Sequence, residues 1–368
     1  MNGLRLFTVS SLEKVRNCKP PVQWEREGSA LLGERYSFQV VLHLKPPKSP
    51  YEFYGANLEL VLPEGVRATV REVGQVPVTH AHKKRSDDYY LTDGDEILPD
   101  ILAEISERPL CNGGRIVVHY NLYQAFWVTV EDAPAGVHPI TARLIYKDEL
   151  LAETTYTLTV IDAALKKTDL MYSNWMHYDC ISNYYGDEVW SERFNELTDA
   201  YIASAVRHGM TGLYIPLITP ALDTFEGGER TTVQLLDITA KNGEYSFDFD
   251  RTVAFMKRAQ ELGIEHFEMA HMFTQWGLVA APKIVATVDG GERSVFGWDT
   301  PADGEAYIGF LRAMLPALRA RLVEEGLYER CLWHLSDEPA KEHLPRYRFF
   351  RALTSLTRAL TRLSSIRR

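Results

Sequence analysis

The sequence predicts a multidomain β plus α/β protein, in which an N-terminal β-sandwich is followed by an incomplete (β/α)8 TIM barrel of about four strand–helix units. Short β-branched and aromatic runs separated by Pro and Gly fill residues 1–163, which is typical of a sandwich. In the second predicted domain, residues 164–368, strand-like runs alternate four times with segments of helical periodicity. A small doubly wound sheet would give the same alternation, so the pattern alone leaves both parallel architectures open.

The first predicted domain is a series of short strands divided by turn signals. Pro63-Glu64-Gly65 and the segment 132–136 are examples of these turns. Residues 81–113 are polar, and we expect them to form a long connection with a solvated charged face. The predicted strands are Leu4–Val9, Val22–Glu25, Phe38–Leu44, Tyr51–Leu62, Val66–Val78, Ile116–Tyr120, Ala125–Val130, Ile140–Tyr146 and Thr154–Ile161.

The second predicted domain contains four strands and three helices. Each helix is expected to begin at a residue type that favours N-caps and to end at a glycine. The helices run from Ser191 to Gly209, from Asp250 to Gly263 and, across Pro316, from Asp303 to Gly326. The predicted strands are Leu170–Trp175, Gly212–Ile218, Glu265–Met272 and Cys331–Leu335.

Charge and cysteine content argue against several classes of protein function. The formal net charge of −10 argues against a nucleic-acid-binding protein. The cysteines (Cys18, Cys111, Cys180 and Cys331) are far apart, which predicts reduced thiols in a cytoplasmic protein and no zinc site. Residues 1–15 lack the apolar core of a signal peptide, and no apolar run is long enough to span a membrane. No P-loop or dinucleotide-binding glycine motif follows a strand, so a kinase or a dehydrogenase is not expected.

The most informative stretch is residues 330–339, where the last predicted strand stops on two adjacent carboxylates, Asp337 and Glu338. The carboxyl ends of parallel strands are where α/β enzymes keep their chemistry. Two carboxylates in one cleft tend to separate in pKa, so that one of them can act as an acid. A solvated acidic turn that complements a helix N-terminus would explain the same residues.

Aromatic and hydrogen-bonding side chains follow all four predicted strands. Such a mixture suits a sugar, which has apolar C–H faces and a hydroxyl edge. A single Trp or His is more often a core or rim residue, so the argument depends on the coincidence at successive strand ends. In chain order, the candidates before the acid pair are Trp175, His177, Tyr184, Asp223, Arg230, His271, Gln275, Trp276 and Trp298. Arg230 has a simpler interpretation as a surface partner of Glu226 or Glu229.

Five motifs in order resemble the catalytic domain of glycoside hydrolase family 123, which includes the group called domain of unknown function 4091. They are Thr219-Pro-Ala-Leu-Asp-Thr224, Gly228-Glu-Arg230, His271-Met-Phe-Thr-Gln-Trp-Gly277, Phe296-Gly-Trp298 and His334-Leu-Ser-Asp-Glu-Pro339. The segment 126–136 is similar to part of the family's N-terminal sandwich module. The resemblance extends to about residue 345.

The resemblance implies an exo-acting, retaining β-N-acetylgalactosaminidase or a related β-N-acetylhexosaminidase. Its substrate would be a carbohydrate with a terminal N-acetylhexosamine, whose own 2-acetamido oxygen attacks the anomeric carbon. Carried onto this sequence, Glu338 is the acid/base and Asp337 orients the acetamido group. Carboxylate separation does not predict the stereochemical outcome for such enzymes. The resemblance implies neither a metal nor another cofactor.

The C-terminal segment departs from the family pattern. The strand–helix alternation stops after the fourth unit, and from about residue 350 the sequence is a basic run of Leu, Ser, Thr, Ala and Arg. The sequence therefore resembles a C-terminally truncated member, for which we expect weak stability and little or no activity. A carbohydrate-binding or structural protein without turnover is the alternative function, since a sandwich domain can bind glycans by itself.

Overall fold

A computed structural model describes residues 3–45, 55–79, 94–105, 115–164, 166, 170–221, 224–275, 277–336 and 339–355. The chain divides into two compact units, Met1–Thr168 and Asp169–Arg368. Within the described ranges, no helix has both the length and the apolar character needed to cross a membrane.

The first unit consists of two five-stranded sheets. Its strands are β1 (Leu4–Ser10), β2 (Glu27–Leu32), β3 (Tyr36–Leu44), β4 (Ala56–Val61), β5 (Arg67–Val78), β6 (Glu96–Glu104), β7 (Arg115–Ile116), β8 (Tyr123–Glu131), β9 (Gly136–Tyr146) and β10 (Glu149–Ala164). One sheet has the order β1-β3-β8-β5-β6 and the other has the order β2-β10-β9-β4-β7. Strand β2 pairs in parallel with β10, whereas the neighbouring β9 pairs with β10 in the antiparallel direction.

Side chains from both sheets of the first unit share one hydrophobic core. Val40 and Val128 from one sheet belong to the same buried cluster as Leu144 from the other. The ring of Phe38 on β3 stacks on that of Tyr156 on β10, with 4.1 Å between the ring centroids. Because side chains alternate between the faces of a strand, one apolar set from each sheet is buried in this way.

Two strand predictions and one predicted connection in the first unit were wrong. The predicted strand Val22–Glu25 is irregular, and β2 begins only at Glu27. A Cβ at Gly28 would lie 1.9 Å from the hydroxyl of Tyr36, so β2 needs a glycine, which weakens the strand signal. Strand β6 lies inside the predicted connection 81–113, because an edge strand tolerates its proline and acidic residues. The predicted strand Ile116–Tyr120 is a strand only at Ile116.

The second unit contains a four-stranded parallel sheet. Its strands, in the order in which they pair, are β11 (Ser173–Asn174), β12 (Gly212–Ile215), β15 (His266–Met269) and β18 (Cys331–Trp333). Each of the three pairings is parallel, and the order in the sheet follows the order in the chain. All four lie within the predicted strands. The carboxyl ends of these strands therefore lie along one edge of the sheet.

Helices alternate with these strands largely as predicted. The helices are α1 (Tyr178–Tyr185), α2 (Glu192–Arg207), α3 (Asp250–Glu261), α4 (Glu305–Glu324) and α5 (Leu344–Ser355). Ser191 caps α2 by accepting a hydrogen bond from the backbone N–H of Phe194. Asp250 is the first residue of α3, not its cap, and its N–H donates to Asp248. Pro316 lies within α4, and α1 was not predicted.

A second sheet in this unit was missed by the sequence analysis. It has the order β14-β13-β16-β17 and is formed by two hairpins, β13 (Asp237–Lys241) with β14 (Glu244–Asp248), and β16 (Ile284–Val288) with β17 (Gly291–Phe296). The hairpins follow β12 and β15 in the chain. They turn at Asn242-Gly243 and Asp289-Gly290, where all four residues have positive φ. This is the Asn-Gly and Asp-Gly signal of two-residue hairpins.

Helix α5 is attached to the core of the second unit. The side chain of Phe350 is buried, and its ring centroid lies 4.4 Å from that of Phe273. Arg346 donates to the carbonyl of Leu278 at 2.8 Å and pairs with Asp303 at 3.1 Å. The beginning of the basic C-terminal segment is therefore an amphipathic helix that packs on the domain, as expected if it covers an apolar surface.

Candidate active site

Three aromatic side chains meet at the carboxyl edge of the parallel sheet. Trp175 directly follows β11, His271 follows β15 by two residues, and His334 directly follows β18. The ring centroid of His271 lies 5.3 Å from that of Trp175 and 4.9 Å from that of His334. The residues that follow separate strands thus form one cluster, as parallel strand ends require.

Glu268 on β15 is the acceptor around which this cluster is organised. Its side chain accepts hydrogen bonds from Ser173 Oγ at 2.8 Å, from Trp175 Nε1 at 2.6 Å and from His334 Nε2 at 2.9 Å. Only 6% of the residue is exposed. Burial acts to raise the pKa of this carboxyl, but the three donors outweigh it and lower the pKa to about 2. Glu268 is therefore an ionised group inside the protein.

His271 is buried beside this carboxylate and remains neutral. Burial, together with the nearby His334, lowers the pKa of His271 to about 3, although the charge of Glu268 acts in the opposite direction. Its Nδ1 lies 3.4 Å from the hydroxyl of Tyr214, and its backbone N–H donates to the same hydroxyl. Its Nε2 is a buried atom without a hydrogen-bond partner among the described residues. A buried nitrogen of this kind is suited to bind a water or a ligand hydroxyl.

A second polar centre lies at the start of α1. Asp179 accepts two hydrogen bonds from Arg230, at 2.9 Å from Nε and 3.0 Å from a terminal nitrogen. Both side chains are largely buried. The interpretation of Arg230 as a surface partner of Glu226 or Glu229 was therefore wrong, and Glu229 pairs with Lys283 instead. Two parallel hydrogen bonds hold the guanidinium in one orientation.

The two centres are close enough to influence one residue, Tyr214. Burial raises the pKa of its phenol, the charge of Glu268 acts in the same direction, and the charge of Arg230 acts against it. Its backbone carbonyl accepts a hydrogen bond from Tyr178, the neighbour of Asp179, at 2.8 Å. Tyr214 thus lies between the carboxylate cluster and the Arg230 pair.

Trp298 contributes to the wall beside Arg230. Its indole nitrogen donates to the carbonyl of Gly228 at 2.9 Å. Arg230, Lys283 and Trp298 all line a depression of about 30 Å³, roughly the volume of one water. His271 belongs to the Glu268 cluster and does not line this depression.

The remaining predicted site residues occupy different environments. Gln275 is buried, and Tyr184 on α1 is 83% exposed. His177 is the residue before α1 and does not cap it through its side chain. Asp223, Trp276, Asp337 and Glu338 lie outside the described residues. Their assignment as site residues stays a prediction.

Glu268, Tyr214 and His334 were not predicted to be site residues. Glu268 and Tyr214 lie within the predicted strands Glu265–Met272 and Gly212–Ile218, respectively. A charged residue in the middle of a buried strand was the available signal, because such a charge needs several partners. No group of three His, Cys, Asp or Glu side chains suited to a metal ion occurs in the part of the chain that the structure describes.

Comparison with known proteins assigns the class and the family. Residues 175–363 match the sequence model of the family described as "Glycoside hydrolase 123, catalytic domain". This match spans 189 of the 368 residues, just over half, and includes most of the basic C-terminal segment. The domain is therefore that of a glycoside hydrolase, and the chain belongs to glycoside hydrolase family 123. No curated protein matches the sequence.

The similarity to three solved structures among the matches is weak. Domains 4 and 5 of the S-layer protein SbsC have a TM-score of 0.19 and 12% identity, over 37% of this chain and 48% of that chain. The Bacteroides ovatus GH5 xyloglucanase has a TM-score of 0.27 and 9% identity, over 90% of this chain and 60% of that chain. A putative glycoside hydrolase from Bacteroides vulgatus has a TM-score of 0.29 and 9% identity, over 90% and 54%. The chain thus spans less than two thirds of each of these structures, and the family match alone carries the assignment.

Proposed function

We propose that this chain is an exo-acting, retaining β-N-acetylgalactosaminidase or a closely related β-N-acetylhexosaminidase. The observation that carries the proposal is the presence of the Asp337-Glu338 pair in a chain of family 123. Asp337 comes four residues after Trp333, the last residue of β18. Its substrate would be a carbohydrate that ends in a β-linked N-acetylhexosamine. No metal or other cofactor takes part in the proposed reaction.

In the first step, the 2-acetamido oxygen of the sugar attacks the anomeric carbon while the glycosidic bond breaks. Glu338 gives its proton to the leaving oxygen, and Asp337 stabilises the positive charge that develops on the acetamido group. Water then attacks the anomeric carbon from the face that the leaving group vacated, and Glu338 takes up its proton. Two inversions retain the configuration, as in other substrate-assisted glycosidases.

The described residues support sugar binding at the same sheet edge. Trp175 is partly exposed and presents an aromatic ring beside His271, whose buried nitrogen has no partner among the described residues. Aromatic rings pack on the apolar face of a sugar, and single hydrogen-bonding groups select its hydroxyls. We propose that Trp276 and Asp223 complete this wall.

We also propose that the four parallel strands are part of a (β/α)8 barrel and that the two sheets of the first unit form a sandwich. The consecutive parallel order of β11, β12, β15 and β18 supports the barrel, because a barrel adds its strands in chain order. The shared core of the two N-terminal sheets supports the sandwich.

Hydrolysis of nitrophenyl glycosides tests the proposed activity. The assay also decides the sequence-based expectation that this chain has little or no activity. If the chain is active, it should release nitrophenol from the N-acetyl-β-galactosaminide and not from the β-galactoside, since only the first carries the nucleophile. Glu338→Gln and Asp337→Asn should each reduce kcat by at least ~100-fold. Glu244→Gln, an exposed position on β14, is the matched control and should retain full activity. Activity on the galactoside alone would disprove substrate assistance.

A further inference from the structure

Glu268 joins side chains from both edges of the parallel sheet. Its strand is third in the order, so Ser173 on β11 and Trp175 just beyond it reach past β12 to donate to the carboxylate. His334, which follows the opposite edge strand β18, donates to the same group. One buried side chain on β15 is therefore hydrogen-bonded to residues of, or directly after, both edge strands of the sheet.

The packing of β12 is adapted to this connection. Gly212 is paired with Ser173 in the register, and a Cβ at Gly212 would lie 2.9 Å from the Cβ of Ser173. Any larger residue would push Ser173 away from its neighbour strand. The glycine therefore permits the close approach that brings the Ser173 hydroxyl to Glu268.

The carboxylate also fixes which nitrogen of His334 carries a proton. Glu268 is ionised, and a carboxylate can only accept hydrogen bonds. Nε2 of His334, at 2.9 Å, therefore carries a proton that it donates to the carboxylate. The plane of the ring is set by this hydrogen bond.

The segment that leads into the acid pair is held at two points. His334, three residues before Asp337, is bound to Glu268, and Ser336 donates to the carbonyl of Thr274 at 2.8 Å. Both acceptors belong to β15 or to the loop that follows it. The two hydrogen bonds thus tie the entry to the acid pair to the central part of the sheet.

We propose that Glu268 is a positioning residue of the glycosidase site. Its hydrogen bond to His334 fixes the start of the loop that carries Asp337 and Glu338, and its hydrogen bond to Trp175 fixes the ring that packs on the sugar. This inference rests on the proposed hydrolysis. It assigns a role to a carboxylate that does not touch the sugar. A misplacement of ~1 Å at a reacting group can reduce the rate by ~100-fold, so loss of this anchor should lower kcat.

Glu268→Gln tests the role because it keeps the shape of the side chain and removes its charge. The amide oxygen can still accept from Trp175 and His334, which both donate to one carboxylate oxygen, and the NH2 group would then face the Ser173 hydroxyl, which can accept. The variant therefore removes the negative charge that strengthens these hydrogen bonds, since charge-assisted hydrogen bonds are about twice as strong as neutral ones. We expect kcat on nitrophenyl N-acetyl-β-galactosaminide to fall by ~100-fold, with KM changed by less than ~3-fold. Glu244→Gln on β14 is the matched control for the same chemical change and should leave both constants unaltered.

Nitrogen NMR of the imidazoles separates positioning from a purely structural role. In the parent protein Nε2 of His334 should carry a proton in a charge-assisted hydrogen bond, and in Glu268→Gln its nitrogen shifts should change because that hydrogen bond weakens. A variant that folds cooperatively and keeps the parent kcat would overturn the proposal, as would unchanged His334 shifts. If Glu268→Gln does not fold, His334→Phe removes the same hydrogen bond with the ring retained, and should show the same loss of kcat.

Failure of the positioning role of Glu268 can be distinguished from failure of the proposed hydrolysis. If the parent chain cleaves no nitrophenyl glycoside, the hydrolysis proposal fails by itself. Binding of N-acetylgalactosamine, measured by NMR titration, then replaces kcat as the readout. A weaker affinity in Glu268→Gln than in Glu244→Gln supports positioning, and equal affinities overturn it.

Discussion

The neutral state of His271 has a consequence for the pH dependence of stability. Burial and His334 lower its pKa to about 3 in the folded protein, against a usual value of 6.5. As the pH falls below 6.5, the unfolded chain takes up a proton at this residue and the folded chain does not. The free energy of unfolding therefore falls, by up to ~1.4 kcal/mol per pH unit, until the pH approaches 3.

We expect His271→Asn to flatten this dependence. Between pH 6.5 and 5 the free energy of unfolding should fall less steeply in the variant, by up to ~1.4 kcal/mol per pH unit. Glu268 does not contribute in this window, because its stabilisation is lost only between its usual pKa of 4.5 and its folded value of about 2. Urea unfolding at a series of pH values provides the measurement. Parallel pH profiles for parent and variant would contradict the neutral assignment of His271.

At the residue scale, the sequence indicated some of the candidate site and missed the group at its centre. Trp175 and His271 were predicted because unusual side chains at strand ends are visible in the sequence. Glu268 was not, because its importance depends on three donors that come from distant positions, Ser173, Trp175 and His334. Arg230 was compared with acids near it in sequence, whereas its partner Asp179 lies 51 residues away.

At the element scale, helices and strands could be predicted where the local sequence signal agrees with the tertiary fold. The strand β12 is a short apolar run, β15 lies within a predicted strand, and Ser191 and Gly209 mark the ends of α2. The hairpins β13–β14 and β16–β17 carried the Asn-Gly and Asp-Gly signals, but β13, β14 and β17 mix polar with apolar residues, and only β16 is an apolar run. Their pairing with each other across a long sequence interval could not be predicted from local pattern.

Gly212→Ala tests the close packing of β11 on β12. The new methyl group would lie 2.9 Å from the Cβ of Ser173, so we expect the free energy of unfolding to fall by ~1–3 kcal/mol. Gly309 in α4 is the matched control, since a Cβ there would meet no atom within 4 Å. Gly309→Ala should raise the free energy of unfolding by ~0.5–1 kcal/mol, as in an ordinary helix interior.

Chemical denaturation of Gly212→Ala and Gly309→Ala measures both changes in the free energy of unfolding. If Gly212→Ala were as stable as the parent, β11 would have room to move and Ser173 would not be fixed by packing. The same variant should also weaken the Ser173–Glu268 hydrogen bond. A decrease in kcat that exceeds the loss expected from the unfolded fraction would connect this packing to the site.

At the scale of the whole molecule, each unit has a hydrophobic core of its own. One buried cluster draws its members from the two N-terminal sheets, and another surrounds the parallel sheet and its helices. A unit with its own core is expected to fold independently. We therefore expect residues 1–168, expressed alone, to unfold in a single cooperative transition, as measured by circular dichroism and by calorimetry.

The division also separates the two functions considered for this chain. If the parallel sheet carries the reaction, residues 169–368 should hydrolyse nitrophenyl N-acetyl-β-galactosaminide, and residues 1–168 should not, because Glu338, Asp337 and Glu268 all belong to the second unit. Phe38→Ala in the first unit is the control: it should destabilise that unit by ~3–5 kcal/mol without changing kcat of the folded chain. Glycan binding by residues 1–168, with no hydrolysis by the full chain, would instead favour a carbohydrate-binding protein. That result would remove the catalytic meaning of the acid pair and leave the sheets of the first unit as the functional surface.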